Sequence, residues 1–246
     1  SGHKGLGWRR RARVSLYRGG LSCAARSAIG PNGFVTWGRW TDMEDQKAHW
    51  DRVWQTKSHD ATSWYQEAAA PSLRFFETAK LSNSAPLIDI GSGASKLIDG
   101  WLSQGFRDIT ALDISAHAFA QSKLRLGAAA DHVTFIEANV LDWQPERRYQ
   151  LWHDRAVFHF LTDPDSRKCY INTLTKALMP RAFFICGAFS TSGPQKCSGL
   201  EVQRYDAGTM AEVFAPWFEV LASEVETHLT PGGAEQHFLW SLFRRR

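Results

Sequence analysis

The sequence predicts an α/β fold in which a mostly parallel sheet is covered by helices and ends in an antiparallel pair of strands. Three observations carry this. Short apolar runs alternate with stretches of helical periodicity along most of the 246 residues, the pattern of strands joined by crossover helices. The run Leu87-Ile88-Asp89-Ile90 leads straight into Gly91-Ser92-Gly93 and then into a helical stretch, a strand–turn–helix unit. The last two strand candidates, residues 218–225 and 237–243, are joined by a short link around Pro231-Gly232-Gly233. That link leaves no room for a crossover helix, so the two should pair antiparallel.

Taken in order, residues 45–56 read as a helix with Trp50, Val53 and Trp54 on one face. Ser63-Trp64-Tyr65-Gln66 falls in a loop, and residues 72–80 form a second helix with Leu73, Phe76 and Ala79 inward. The first strand, Leu87 to Ile90, holds Asp89 inside an apolar run, where a carboxylate is costly without hydrogen-bond partners. Gly91 and Gly93 let the chain turn sharply and bring its backbone close to a ligand. Ala94, Leu97, Ile98, Trp101 and Leu102 then recur at helical spacing up to a stop at Gly105. Ile109, Ala111 and Leu112 mark a second strand with Asp113 at its carboxyl end. Ser115 is placed to cap the next helix, which carries Ala116, Phe119 and Ala120 and ends near Gly127.

Val133, Phe135 and Ile136 mark a third strand and residues 149–153 a fourth. Asp163-Pro164 opens a helix, a cap followed by proline at the first helical position. Residues 183–189 form a fifth strand, Asp206 caps a helix with Met210, Val213 and Phe214, and the final two strands follow.

The glycine turn at the head of a helix offers free N–H groups to an anionic ligand. Asp113, about twenty residues further on, can accept hydrogen bonds from ribose hydroxyls. Together they point to a nucleotide-type cofactor. A dinucleotide fingerprint asks for a third glycine where Lys96 stands, which disfavours NAD.

At Asp89-Ile90-Gly91-Ser92-Gly93 and Asp113 the chain resembles the class I S-adenosylmethionine-dependent methyltransferases. The resemblance covers roughly residues 47–244. It implies a seven-stranded Rossmann-like sheet with an antiparallel C-terminal strand and helices on both faces. It implies S-adenosyl-L-methionine as cofactor and S-adenosyl-L-homocysteine as product. It places Asp89, Gly91, Ser92 and Gly93 at the methionine part, with Asp89 ordering the turn or meeting the ammonium. It places Asp113 and Ile114 at the ribose, and Asn139 and Val140 at the adenine, with Asp154 and Arg155 beside the cofactor. Two departures stand out. Asn139 occupies a place where the family commonly has an aspartate, though its amide oxygen can still accept the adenine amino bond. Met179-Pro180-Arg181-Ala182 stands where the family often has proline and two glycines.

Composition sets the boundaries. Residues 1–42 carry eight Lys/Arg against one acid, a net +7, which leaves −3 for residues 43–246 of the chain's +4. The body therefore shows no nucleic-acid footprint. The arginine-rich segment reads as a leader outside the core, either an organelle transit peptide or a cloning-derived extension ahead of a natural start at Met43. Residues 43–246 form the catalytic domain, with residues 43–80 a helical lid. Cys23, Cys169, Cys186 and Cys197 show no Cys-x-x-Cys pair and no metal-ligand spacing. No apolar run reaches membrane-spanning length. The sequence reads as a reduced, cytoplasmic protein with no bound metal, or a mitochondrial one if the leader is a native transit peptide.

Methyl transfer from a sulfonium is an in-line displacement, so it needs nucleophile, methyl and sulfur held in line. A base helps only if the acceptor must lose a proton. In Trp152-His153-Asp154-Arg155-Ala156-Val157-Phe158-His159-Phe160-Leu161, His159 is the candidate base and Asp154 the candidate orienting acid. Both also have structural readings, His159 packed between phenylalanines and Asp154 paired with Arg155. Residues 193–207 read as a substrate loop with Arg204 and Tyr205 facing the acceptor, and Trp64 and Tyr65 as substrate contacts from the lid. The expected function is methyl transfer to a small-molecule acceptor. A protein-lysine methyltransferase of the same fold and a catalytically silent cofactor-binding module remain open.

Overall fold

The computed structural model describes residues 28–29, 35–36 and 38–246, with side chains from Asp45 onward except His59. The leader read over residues 1–42 lies outside the described residues, apart from a two-residue antiparallel pairing of Ala28–Ile29 with Val35–Thr36 and the start of the first helix.

Six helices and seven sheet strands alternate as expected. The helices are α1 Gly38–Thr56, α2 Ala70–Thr78, α3 Leu97–Ser103, α4 Ala116–Leu126, α5 Pro164–Ala177 and α6 Ala207–Phe214. The strands are β1 Leu87–Ile90, β2 Ile109–Asp113, β3 Val133–Glu137, β4 Tyr149–Arg155, β5 Leu178–Phe189, β6 Phe218–Leu229 and β7 Glu235–Arg245. They form one sheet in the order β6-β7-β5-β4-β1-β2-β3. All neighbours among β1 to β5 pair parallel, and β7 runs antiparallel to both β5 and β6. This is the Rossmann-like sheet with a reversed C-terminal strand.

Alternation along the strands divides the core into two layers. Leu87 and Leu151 face Phe75, Phe76, Leu97 and Trp101 of α2 and α3. Ile88, Ile90 and Trp152 face Tyr170 and Leu174 of α5 and Phe214 of α6. The order reverses direction between β1 and β4, so their carboxyl ends open a crevice where ligands bind in such sheets.

Local expectations differed in three places. The first helix begins earlier than residue 45, at Gly38. Residues 179–182, read as a turn ahead of the fifth strand, lie within β5 as an irregularity: pairing jumps from Tyr149↔Leu178 to Leu151↔Phe183, and Arg181 takes a φ of 63°. Ser115 is the N-cap residue of α4, but its hydroxyl makes no cap bond. It donates instead to Asp51 of α1 at 2.6 Å.

No helix among the described residues is long and apolar enough to cross a membrane.

Candidate functional site

The carboxyl ends of β1, β2 and β4 converge on a cavity that α1 covers. Gly91 and Gly93 adopt φ of 61° and 53°, so the chain leaves β1 through two left-handed residues that favour glycine. The turn is held from β2: Asp113 accepts from Gly93 N–H through one oxygen and from Ser115 N–H through the other, both at 2.9 Å. Asp113 lines the cavity, and burial raises its carboxyl to about 6 despite those two bonds.

Helix α1 lies across this turn. Trp54 packs with Ala94, Ala118 and Trp64, and the space a Cβ on Gly93 would need is filled by the Trp54 ring. Lys47 pairs with Glu137 at the end of β3 at 2.8 Å. Trp50, Trp64 and Phe160 meet edge to face at 5.9 and 5.4 Å and form an apolar wall. Ile114, Val140, Leu161 and Cys197 complete it.

A second hollow, sharing Trp64, Gly91 and Arg155 with the first, reaches Asp89, Ser92 and Lys96. Its polar groups are held but not satisfied. Asp89 is 2 % exposed; its Oδ1 bonds His153 Nδ1 at 2.7 Å, while its Oδ2 has no partner among the described residues. Arg155 donates through Nη1 to the Trp64 carbonyl at 2.7 Å and lies over the Phe238 ring, leaving Nε and Nη2 unpartnered. Burial pulls its guanidinium down to about 10. A buried polar atom without a partner is costly, and Asp89 Oδ2 as an acceptor and Arg155 Nε and Nη2 as donors make no bond to the described residues.

Asn139 is oriented by its own loop. Its Oδ1 already accepts from Leu141 N–H at 3.0 Å, and a backbone N–H can only donate, which fixes the amide's orientation. The group left unpartnered on the cavity wall is Nδ2, a donor. The amide thus presents a free donor and one remaining lone pair on its oxygen.

Four other candidates stand away from the cavity. His159 is fully buried between Phe160 and Phe189, and its Nδ1 accepts from Phe189 N–H at 3.3 Å. Burial lowers its imidazole to about 3, so near neutral pH it is uncharged and walled off from an acceptor. Asp154 points to the α5 side of the sheet. Its Oδ1 accepts from Val157 and Phe158 N–H at 2.9 and 3.2 Å, and its Oδ2 accepts from the Tyr170 hydroxyl at 2.5 Å. It builds the turn after β4 and is not paired with Arg155. Arg204 braces its own loop by donating to the carbonyls of Thr191 and Gly193. Tyr205 is buried and stacked on Phe158. Tyr65 lies at the outer rim with Glu67 and Lys96, while Trp64 of the same loop lines both hollows.

Residues 193–207 reach the cavity through Cys197 instead, and Phe160, Val157 and His153 also went unnoticed as site residues. Nothing in the sequence pattern marked Cys197 or Phe160. His153 carried a signal, because it occupies in β4 the place Asp89 occupies in β1.

His159 gives a test. A group whose folded pKa is depressed contributes stability present above its unfolded pKa, near 6.5, and lost as pH falls toward about 3. Replacing it with a non-titrating side chain, His159→Gln, should remove up to about 1.4 kcal/mol per pH unit of acid sensitivity in that window. Activity at neutral pH should fall less than about tenfold, against the hundredfold or more expected on losing a base. Denaturant titrations between pH 7 and 4, with a rate assay, would check both.

Residues 87–181 match a sequence family described as a methyltransferase domain. No curated protein sequence matches the chain. Among solved structures, it is similar to a 1,6-didemethyltoxoflavin-N1-methyltransferase of Burkholderia thailandensis with bound 1,6-didemethyltoxoflavin and S-adenosylhomocysteine: 20% identity, 83% of this chain and 86% of that one, TM-score 0.60. A methyltransferase dependent on S-adenosylmethionine from Anabaena variabilis shares 17% identity over 83% of this chain and 95% of its own, TM-score 0.65. A glycopeptide N-methyltransferase complexed with S-adenosyl-L-homocysteine shares 14% over 79% and 96%, TM-score 0.58.

Proposed function

We propose that the chain is a class I S-adenosylmethionine-dependent methyltransferase that methylates a small-molecule acceptor by in-line displacement, a reading supported by the methyltransferase domain matched over residues 87–181 and by the shared fold. One observation carries the reading: unpartnered polar atoms of opposite character meet at the two joined hollows. Asp89 Oδ2 is an acceptor fit for the cofactor's ammonium, and Arg155 Nε and Nη2 are donors fit for its carboxylate. Asp113 offers its remaining lone pairs to ribose hydroxyls, and Asn139 Nδ2 offers a donor to the base. When bound, S-adenosylmethionine supplies the methyl group as part of a sulfonium cation.

The chain's own residues then position and enclose. Trp50, Trp64 and Phe160 give an aromatic wall that tolerates a cation and excludes water. Helix α1 acts as the lid. The described residues on the wall of the larger hollow include three ionisable side chains, Asp113, Arg155 and Cys197. Asp113 is committed to the turn, Arg155 only donates, and burial raises the Cys197 thiol to about 11. Asp113, raised to about 6, has the pKa of a base, but its oxygens are held by the turn and set aside for the ribose, so none of the three is left free to take the acceptor's proton. We therefore read the acceptor as a compact, largely apolar molecule whose nucleophilic atom needs no side-chain base.

Calorimetric titration with S-adenosylmethionine, S-adenosylhomocysteine and NAD tests the cofactor site. The first two should bind and NAD should not. Asp113→Ala should weaken both by about tenfold to a hundredfold, the worth of one or two hydrogen bonds to a charged group. A folded wild-type protein that binds neither sulfur cofactor would sink the reading. Formation of S-adenosylhomocysteine with a panel of small aromatic acceptors separates catalysis from silent binding.

A further inference from the structure

Asp89 does not stand alone in the core. Its Oδ1 meets His153 Nδ1 at 2.7 Å, and His153 Nε2 meets the Ser72 hydroxyl of α2 at 2.9 Å. All three residues are at most 2 % exposed. The sheet sets up the first contact: Asp89 and His153 are direct partners in the parallel pairing of β1 and β4, so their side chains share one face. The imidazole is gripped by two indoles, edge-on to Trp101 at 6.2 Å and tilted against Trp240 at 6.1 Å. A carboxylate can only accept, so the proton between them sits on Nδ1. With Oδ1 tied to a ring that cannot turn, the carboxylate has one orientation, and it leaves Oδ2 unpartnered at the second hollow.

We infer that His153 is a positioning residue that aims Asp89 Oδ2 at the cofactor's α-ammonium, with Ser72 anchoring the ring from the far side. This rests on the cofactor reading above. A carboxylate locked in place loses no side-chain freedom on binding, and it separates ligands that carry the ammonium from ligands that do not.

The test compares S-adenosylhomocysteine with its analogue lacking the α-amino group, by calorimetry on wild type, His153→Gln and His153→Asn. An asparagine amide nitrogen falls near the place of Nδ1 and keeps the bond to Asp89. A glutamine nitrogen falls near Nε2 and keeps only the bond to Ser72. In His153→Gln, S-adenosylhomocysteine should bind about tenfold more weakly, the loss of one hydrogen bond to a charged group, with the analogue within about twofold. His153→Asn should bind both nearly as wild type does. In wild type, the downfield Nδ1–H proton signal of His153 should shift with S-adenosylhomocysteine and stay put with the analogue, a readout that needs no variant to fold.

Equal weakening of both ligands in His153→Gln, no weakening of either, or an Asn variant that behaves like Gln would each overturn the role of His153. Wild type that binds both ligands equally would do the same while leaving the cofactor site standing. Wild type that binds neither would overturn both.

Discussion

Gly91→Ala should abolish measurable cofactor binding, a loss of at least about a hundredfold, and Val157→Ala in the same chain should return part of it. Two effects combine at Gly91. Its φ of 61° is left-handed, which costs an alanine roughly 1 kcal/mol. The larger effect is steric: a Cβ there would sit 2.2 Å from Val157 Cγ2, far inside contact distance. Val157 is anchored at its N–H by Asp154 and packs against the core, so relief comes from the valine turning into the hollow it lines or from the glycine turn moving, and on the proposed reading either one intrudes on the cofactor's seat. Losing two hydrogen bonds to charged groups, at about 1.5 kcal/mol each, costs on the order of a hundredfold in affinity. Val157→Ala removes both γ-methyls and so the collision, leaving a backbone strain of roughly 1 kcal/mol that loads the fold rather than the affinity. Titrating the single and double variants with S-adenosylhomocysteine checks this. Binding by Gly91→Ala within threefold of wild type would contradict the tight seat of the turn.

Asp154→Ala should be among the most destabilising single substitutions in the chain, by about 3–5 kcal/mol, while Asp154→Asn should cost less, about 1–3 kcal/mol near neutral pH. The alanine strands two backbone N–H groups and the Tyr170 hydroxyl in a fully buried place, each worth about 1–3 kcal/mol when orphaned. The asparagine keeps an oxygen for both N–H groups, and its NH₂ can donate to the Tyr170 hydroxyl, which also accepts from Trp152 Nε1, so the one group that loses its partner is the hydroxyl proton that Asp154 accepted. Burial raises the Asp154 carboxyl to about 6. A raised folded-state pKa means stability that is fully present below the unfolded value, 3.8, and lost as pH rises through about 6. Wild type should therefore gain on Asp154→Asn as pH drops from 7 to 5. Urea titrations at both values measure the gap. Retained activity in Asp154→Asn would mark the acid as a builder of the turn rather than a participant in transfer.

The fold was legible because its signals are local. Two-residue alternation, helical spacing and the glycine pair mark strand, helix and turn without reference to anything distant. Asp113 was legible for the same reason, standing at a strand end at a fixed interval from the turn. His159 and Asp154 were read as chemistry because their residue types can do chemistry. Their orientation is decided by strand alternation and by which layer of the core they enter: Asp154 follows Trp152 toward α5, and His159 is enclosed by Phe189 of β5. Cys197 reaches the cavity from a loop more than a hundred positions along the chain from Asp89, and no local pattern encodes that meeting. His153 lies between these cases. The parallel pairing of β1 with β4 puts it beside Asp89, and that pairing follows once the strand order is known.

The seating of β7 has a consequence for how the molecule is made. β7 lies between β5 and β6, so it divides two strands that were both synthesised before it. Translation delivers the chain from its N-terminus, and until residues 235–245 emerge, β5 has a bare edge and β6 has no place in the sheet. Phe238, Trp240 and Leu242 of β7 also close the layer over Phe75 of α2. The nascent protein therefore waits on its final strand with an adhesive flank exposed, and this interval is when a chaperone would be needed most.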